Sequence, residues 1–251
     1  MSDHYAAPLR AVLPAHDARR LLELEAETRF VLKDGRIASE GPPDNAPGPL
    51  MYMAAGRAWI AATIDADITH RLNDLVSEEP ALAPGRSPVA AERYVALLGA
   101  QAGHAGLSFL LPHATPLPHG SPTIASSTPA ALELEARLAR DGMPPDLLAL
   151  NFRSVADLWP PYCLVIAEGR IAALAFTARL GAHGAELGLA TLPAFRGRGL
   201  AAQAVSGWSA LPDLRELTLF YSTSETNLAS QRVAAKLGLP FIGPTWEVSG
   251  S

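Results

Sequence analysis

Arg196-Gly197-Arg198-Gly199-Leu200-Ala201 constrains what this chain can fold into more than any other stretch. It follows an apolar run, Glu186 to Leu192, that breaks at Pro193. It opens an apolar stripe at helical spacing: Leu200, Ala201, Ala204, Val205 and Trp208. Strand, glycine turn and helix together aim several free backbone N–H groups, and the positive end of a helix dipole, at one spot. That spot suits a phosphate or pyrophosphate. Gly197 and Gly199 let the backbone approach an anion with no Cβ in the way, and Arg196 and Arg198 add positive charge. Taken alone, the same residues could form a tight turn with two solvated arginines.

Two nucleotide-binding alternatives are excluded. A dinucleotide fingerprint needs a third glycine where Ala202 stands, and no Gly-Lys-Ser/Thr is present for a Walker loop. A second segment, Thr226 to Leu239, follows the strand-like run Leu217–Tyr221. There Thr226 or Asn227 is placed to cap a helix, Ala229, Val233 and Leu237 make an apolar face, and Gly238 ends it. The order Arg196-x-x-Gly199-x-Ala201 resembles the pyrophosphate arm of the GNAT acyltransferases. The Asn227 segment resembles the stretch that follows it in that family. Together the two cover about residues 186–243.

The resemblance implies an α/β (α+β) fold of GNAT type, with a mixed central sheet flanked by helices, and acetyl-CoA as cosubstrate. It implies cofactor contacts from Leu189, Thr191 and Leu192 of the strand, from Arg196, Gly197, Arg198, Gly199, Leu200 and Ala201 of the turn, and from Asn227 and Ser230. Asn227 takes the position that meets the amide-rich pantetheine arm. A plain helix cap is the other reading of Asn227, and the two can coexist.

The chain divides near residues 112–129, where Pro112, Pro116, Pro118, Pro122, Gly120 and Pro129 read as a linker. Residues 121–251 then hold helical patterns at 130–140 and 146–158 and strands at 162–167 and 171–180. Strand 185–192, helix 200–210, strand 215–222, helix 227–237 and strand 241–247 follow, which is the GNAT order. A first strand is expected near 122–127. Residues 1–120 form an N-terminal α+β region of unassigned role. It has a hairpin at Phe30–Ser39, strand-like sequence at Leu50–Thr63, a loop from Pro42 to Pro49, and helical patterns at 67–77 and 89–101.

The chemistry expected is transfer of an acetyl group from acetyl-CoA to an amine, small-molecule or protein-borne. That needs a base and an oxyanion donor. Glu186, where several superfamily members carry a carboxylate base, is the candidate base; a solvent-facing strand-end Glu is the alternative. Gly188 and Ala190 share its face by strand alternation and are expected to leave room for a ligand. Many members carry a Tyr general acid at the position of Ala234. Tyr221 is the candidate to replace it. A catalytically silent CoA-binding sensor or regulatory module is the alternative from another class, and a hydroxyl acceptor is a third reading.

The remaining composition sets partners and compartment. A net charge of −5, without a Lys/Arg block, speaks against nucleic acid. No apolar run approaches membrane-spanning length, and no signal peptide is evident. The single Cys163 precludes an intramolecular disulfide, and a cytoplasmic protein is expected. His104, His113 and His119 lack the spacing of a zinc site, so no metal is expected. The oligomeric state is open, a homodimer included.

Overall fold

A computed structural model describes residues 14–113 and 120–250. Along the chain come α1 (Ala15–Arg29), β1 (Phe30–Lys33), β2 (Arg36–Glu40), β3 (Met51–Ala54), β4 (Arg57–Ile60), α2 (Ala66–Glu78), α3 (Ala91–Leu97) and β5 (Gly103–Leu111). Then come β6 (Thr123–Ala125), α4 (Pro129–Asp141), α5 (Pro145–Ala149), β7 (Tyr162–Ala167), β8 (Arg170–Leu180), β9 (Gly184–Thr191) and α6 (Leu200–Ser209). The chain closes with β10 (Thr218–Ser224), α7 (Leu228–Leu237) and β11 (Phe241–Val248). This is the mixed α/β architecture expected, and among the described residues no helix is long and apolar enough to cross a membrane. Residues 114–119 of the expected linker, His119 among them, lie outside the described residues.

Two compact units arise, and neither is a continuous stretch. One comprises Met1–Leu110, Arg179–Gly184 and Phe220–Ser251; the other comprises Leu111–Ala178 and Ala185–Leu219. The sequence-based boundary at 120/121 is therefore not the division between compact units. In the first unit the strands run β4-β3-β11-β5-β10. The last strand, β11, pairs antiparallel with β3 on one side and β5 on the other, both from the first 111 residues. Strand β5 was not expected, because Gly103 and Gly106 weaken its β signal. Cross-strand neighbours explain both glycines. A Cβ at 103 would lie 2.1 Å from the Trp246 ring, and one at 106 would lie 2.5 Å from the Thr245 hydroxyl.

The expected strand-like stretch 50–63 is a hairpin, β3–β4, turned at Ala55 and Gly56 with φ of 54° and 71°. Alanine in that left-handed region is not a turn signal the sequence advertises. The Asp34-Gly35 corner, with φ of 51° and 75°, closes the β1–β2 hairpin as expected. Helix α1, absent from the sequence reading, buries Leu22 and Ala26 against Phe30, Ile37, Tyr52, Phe220 and Ile242. On the same helix Glu25 accepts a 2.8 Å hydrogen bond from the Ser108 hydroxyl.

The second unit orders its strands β9-β8-β7-β6, with β7 antiparallel to both neighbours. Helices α4 and α5 cover one cluster: Leu134, Leu138 and Leu147 pack with Phe152, Tyr162, Leu164, Ile171 and Leu174. Thr128 caps α4 through the Ala131 N–H, with Pro129 in its first turn. Helix α6 lies on β7. Its Trp208 indole donates to the Pro161 carbonyl at 2.9 Å, and a Cβ at Gly207 would lie 2.4 Å from the Cys163 sulfur. Burial pushes that thiol up to about 11, so Cys163 packs as a small hydrophobe and is not a thiolate at neutral pH.

Candidate functional site

Within the second unit, β9 runs into a short 3-10 turn at Pro193–Phe195, then the glycine turn, then α6. Pro193 ends the strand, since it has no N–H to give a ladder. Gly197 and Gly199 both adopt left-handed φ, 77° and 84°, and Gly199 is the N-cap residue of α6 with no side-chain cap. The first bond of the helix runs from the Gln203 N–H to the Gly199 carbonyl at 3.2 Å. The N–H groups of Gly197, Arg198, Gly199, Leu200, Ala201 and Ala202 therefore meet no acceptor among the described residues. No acidic residue stands in the first turn of α6 to satisfy them or oppose an anion. Space is open too: nothing lies within 4 Å of where a Cβ on Gly197 would sit. A row of unmet donors at a helix N-terminus is the arrangement that takes a phosphate.

The turn is braced by Arg198 together with residues that the sequence did not single out. Two guanidiniums lie over the buried Phe195 ring, Arg170 at 5.2 Å and Arg198 at 5.0 Å from its centroid. Each guanidinium is held in turn by a carboxylate. Arg198 donates to Glu168 at 2.7 Å, and Arg170 donates to both oxygens of Asp146 at 2.7 and 2.5 Å. Those Arg170 hydrogen bonds hold the Asp146 carboxyl below its usual range. An aromatic residue next to Arg196 was the available signal, but only the fold brings Arg170 onto it. Arg196 is exposed and forms no ion pair among the described residues. Gln203, one turn into α6, accepts from the Ser121 N–H at 3.1 Å and donates to its carbonyl. That fixes the helix to the segment before β6.

Glu186 sits in β9 and is only 7 % exposed, which removes the solvent-facing alternative. The room expected beside it is not there. A Cβ on Gly188 would lie 2.4 Å from the Phe176 ring, and Ala190 packs against the α4–α5 cluster. Small residues on that face accommodate an aromatic from the neighbouring strand. Leu189 and Thr191 are half-buried. Leu192 differs from its expected role: its side chain is buried and its N–H donates to the Ala172 carbonyl at 3.0 Å, so that donor is spent on the sheet.

The first unit brings together Tyr221, Asn227 and Ser230. Asn227 is the N-cap of α7, its Oδ1 accepting from the Ser230 N–H at 3.1 Å. Its amide NH2 is left over on an exposed residue. The helix face differs from expectation. Ala229 is exposed and Ala234 is the buried residue of α7, at 1 % exposure. Tyr221, expected as a general acid, is a strut instead. It is 2 % exposed and shares a 2.6 Å hydrogen bond with the Ser230 hydroxyl, and its own hydroxyl also donates to the Ser230 carbonyl at 3.2 Å. Burial pushes its phenol up to about 12, far above a thiol near ~8.5, so proton transfer to a departing thiolate would run uphill. Ser230, expected at the cofactor, spends its hydroxyl on Tyr221.

Residues 146–240 match the family model of the acetyltransferase (GNAT) domain. The matched segment contains β9, the glycine turn and α6. Among similar solved structures is a GNAT-family acetyltransferase from Colwellia psychrerythraea, 17% identical, covering 95% of this chain and 98% of that one at a TM-score of 0.44. A GCN5-related N-acetyltransferase from Sphaerobacter thermophilus is 14% identical over 94% of this chain and 93% of its own, TM-score 0.45. A functionally unknown conserved protein from Staphylococcus epidermidis is 12% identical over 90% and 95%, TM-score 0.48. At such identities and scores, nothing about the chemistry of this chain rests on these likenesses. No curated protein matches the sequence.

Proposed function

We propose that this protein transfers an acetyl group from acetyl-CoA to the amine of a small molecule or protein. The match of residues 146–240 to the acetyltransferase (GNAT) domain supports acyl transfer from an acyl-CoA. CoA binding in this reading is carried by one observation, the row of N–H groups from Gly197 to Ala202 at the start of α6 that meet no acceptor among the described residues. Those donors and the open space at Gly197 fit a pyrophosphate, and bound acetyl-CoA would supply the activated thioester. Arg196 adds a positive charge that meets no carboxylate among the described residues, whereas Arg198 serves chiefly to hold the turn through Phe195 and Glu168. We assign the exposed NH2 of Asn227 to the carbonyls of the pantetheine arm, and the buried carboxylate of Glu186 to the general base.

A silent CoA-binding module is the second reading. It draws support from Ala234 and Tyr221, both buried, which leave no assigned proton donor for the thiolate. The thiolate of CoA is a tolerable leaving group without one. Acetyl-CoA turnover over a panel of amines, read as free thiol released, separates the two. Thiol release with at least one amine supports transfer. Binding without release for any amine supports the module. No rise in melting temperature at millimolar acetyl-CoA removes both, because a ligand at ~100 times its dissociation constant adds about 2.7 kcal/mol.

A further inference from the structure

The N-terminal part of the chain reaches the loop that carries Asn227 from β5 and from the segment between α2 and α3. Between α2 and α3, residues 79–90 form a strap with Pro80, Pro84 and Pro88 in it. Its two ends are tied together by one side chain. Glu79 accepts from the N–H groups of Val89 and Ala90, the latter at 3.2 Å, and from the Tyr94 hydroxyl at 3.0 Å. At the tip, Ala83 to Arg86 make a tight turn: the Arg86 N–H donates to the Ala83 carbonyl at 3.1 Å, and Gly85 adopts φ of 74°. Pro84 followed by a left-handed glycine is the sequence of a stiff turn. The Gly85 N–H then donates to the Glu225 carboxylate.

Glu225 stands in the segment between β10 and α7, two positions before Asn227. That segment is fixed on its other sides. The Glu225 N–H donates to the Ala105 carbonyl at 3.1 Å, the Asn227 N–H donates to the Ser224 carbonyl at 3.0 Å, and the Gln231 amide donates to the Glu225 carbonyl at 2.6 Å. The strap supplies the side-chain clip that completes this set. Seven of the twelve strap residues are exposed, Glu79, Leu82, Pro84 and Ala90 are half-buried and Pro88 is buried, so core filling does not account for most of its length.

We propose that the strap 79–90 positions the donor-binding loop: through Gly85 and Glu225 it fixes Ser224–Asn227, and with it the Asn227 amide that meets the arm of CoA. Glu225 is then a positioning residue, and the N-terminal region takes part in donor binding. This rests on the assignment of Asn227 made under the proposed function.

The test compares binding of CoA with binding of the nucleotide part of CoA alone, which lacks the pantetheine arm. Calorimetry on the full chain reads both. Glu225→Ala is expected to weaken CoA by about three- to tenfold, the net worth of one hydrogen bond, while the affinity for the armless nucleotide holds. Glu225→Gln keeps an acceptor for the Gly85 N–H and restores the wild-type ratio. Glu79→Ala, which releases the neck of the strap and leaves Glu225 intact, shifts the ratio in the same direction and serves if Glu225→Ala does not fold. Equal CoA affinity in Glu225→Ala and wild type overturns the proposal, as does an equal loss for both ligands. If wild type binds neither ligand, the functional reading itself falls, and this inference with it.

Discussion

Replacing Gly199 by valine tests the geometry of the phosphate turn most directly. Gly199 holds φ of 84° as the N-cap of α6, where an L-residue is strained by roughly 1–2 kcal/mol and a β-branched one by up to ~3 kcal/mol. The chain can absorb that strain in two ways. Either the turn keeps its shape and the protein is destabilised, or the turn relaxes and the N–H groups of Gly197 to Ala202 cease to converge. Each hydrogen bond to a charged group is worth about 1.5–3 kcal/mol, so losing one weakens CoA by roughly ten- to a hundredfold.

Arg198→Ala is the contrasting change, although it deletes a formal charge beside the site. Its guanidinium already faces Glu168 at 2.7 Å, with side chains 45% and 64% exposed. An ion pair of that exposure contributes about 0–1 kcal/mol, and salt screens it. The affinity change expected for Arg198→Ala is below about threefold. Calorimetric titration with CoA at physiological ionic strength, alongside melting curves, measures both variants. Wild-type affinity in Gly199→Val, or a larger loss in Arg198→Ala than in Gly199→Val, refutes the turn geometry argued here.

Glu186→Gln keeps the shape of a buried carboxylate and removes its basicity. Turnover with an established acceptor should fall by ~10²–10⁴-fold while CoA affinity holds, and undiminished turnover across the pH range would end the assignment. Tyr221→Phe removes the bonds to Ser230 and should cost about 1 kcal/mol of stability in denaturant melts with little effect on turnover; abolished turnover in a stably folded variant would restore Tyr221 as the acid. The phenol of Tyr221 rises from 10.0 to about 12 on folding, so its contribution is complete below pH 10 and is lost as pH climbs to about 12, when the unfolded chain ionises first. Tyr94 and Tyr162, also pushed up by burial, add to that alkaline loss, and Tyr221→Phe should flatten part of it. A fragment of residues 121–251 leaves β11 without β3 and β5, and it should show no cooperative melt by circular dichroism; a cooperative transition would show that the segment folds alone.

The sequence by itself determined the local pieces whose physics is local. Arg196 to Ala201 specified a strand–turn–helix because two glycines, a preceding proline and an apolar 3.6 period agree with one another. Asp34-Gly35 specified a hairpin corner, and Thr226 or Asn227 with Gly238 specified both ends of α7, for the same reason. What the sequence could not carry was any fact that needed a distant neighbour. Gly103 and Gly106 read as poor strand residues until Trp246 and Thr245 occupy the space where their side chains would be. Gly188 reads as room for a ligand until Phe176 fills it, and Tyr221 reads as a free acid until Ser230 takes its hydroxyl. The placement of β11 between two strands from the first 111 residues is likewise invisible in the chain order. Pairing choice depends on which edges are open once everything else has folded, and that is a property of the tertiary structure alone.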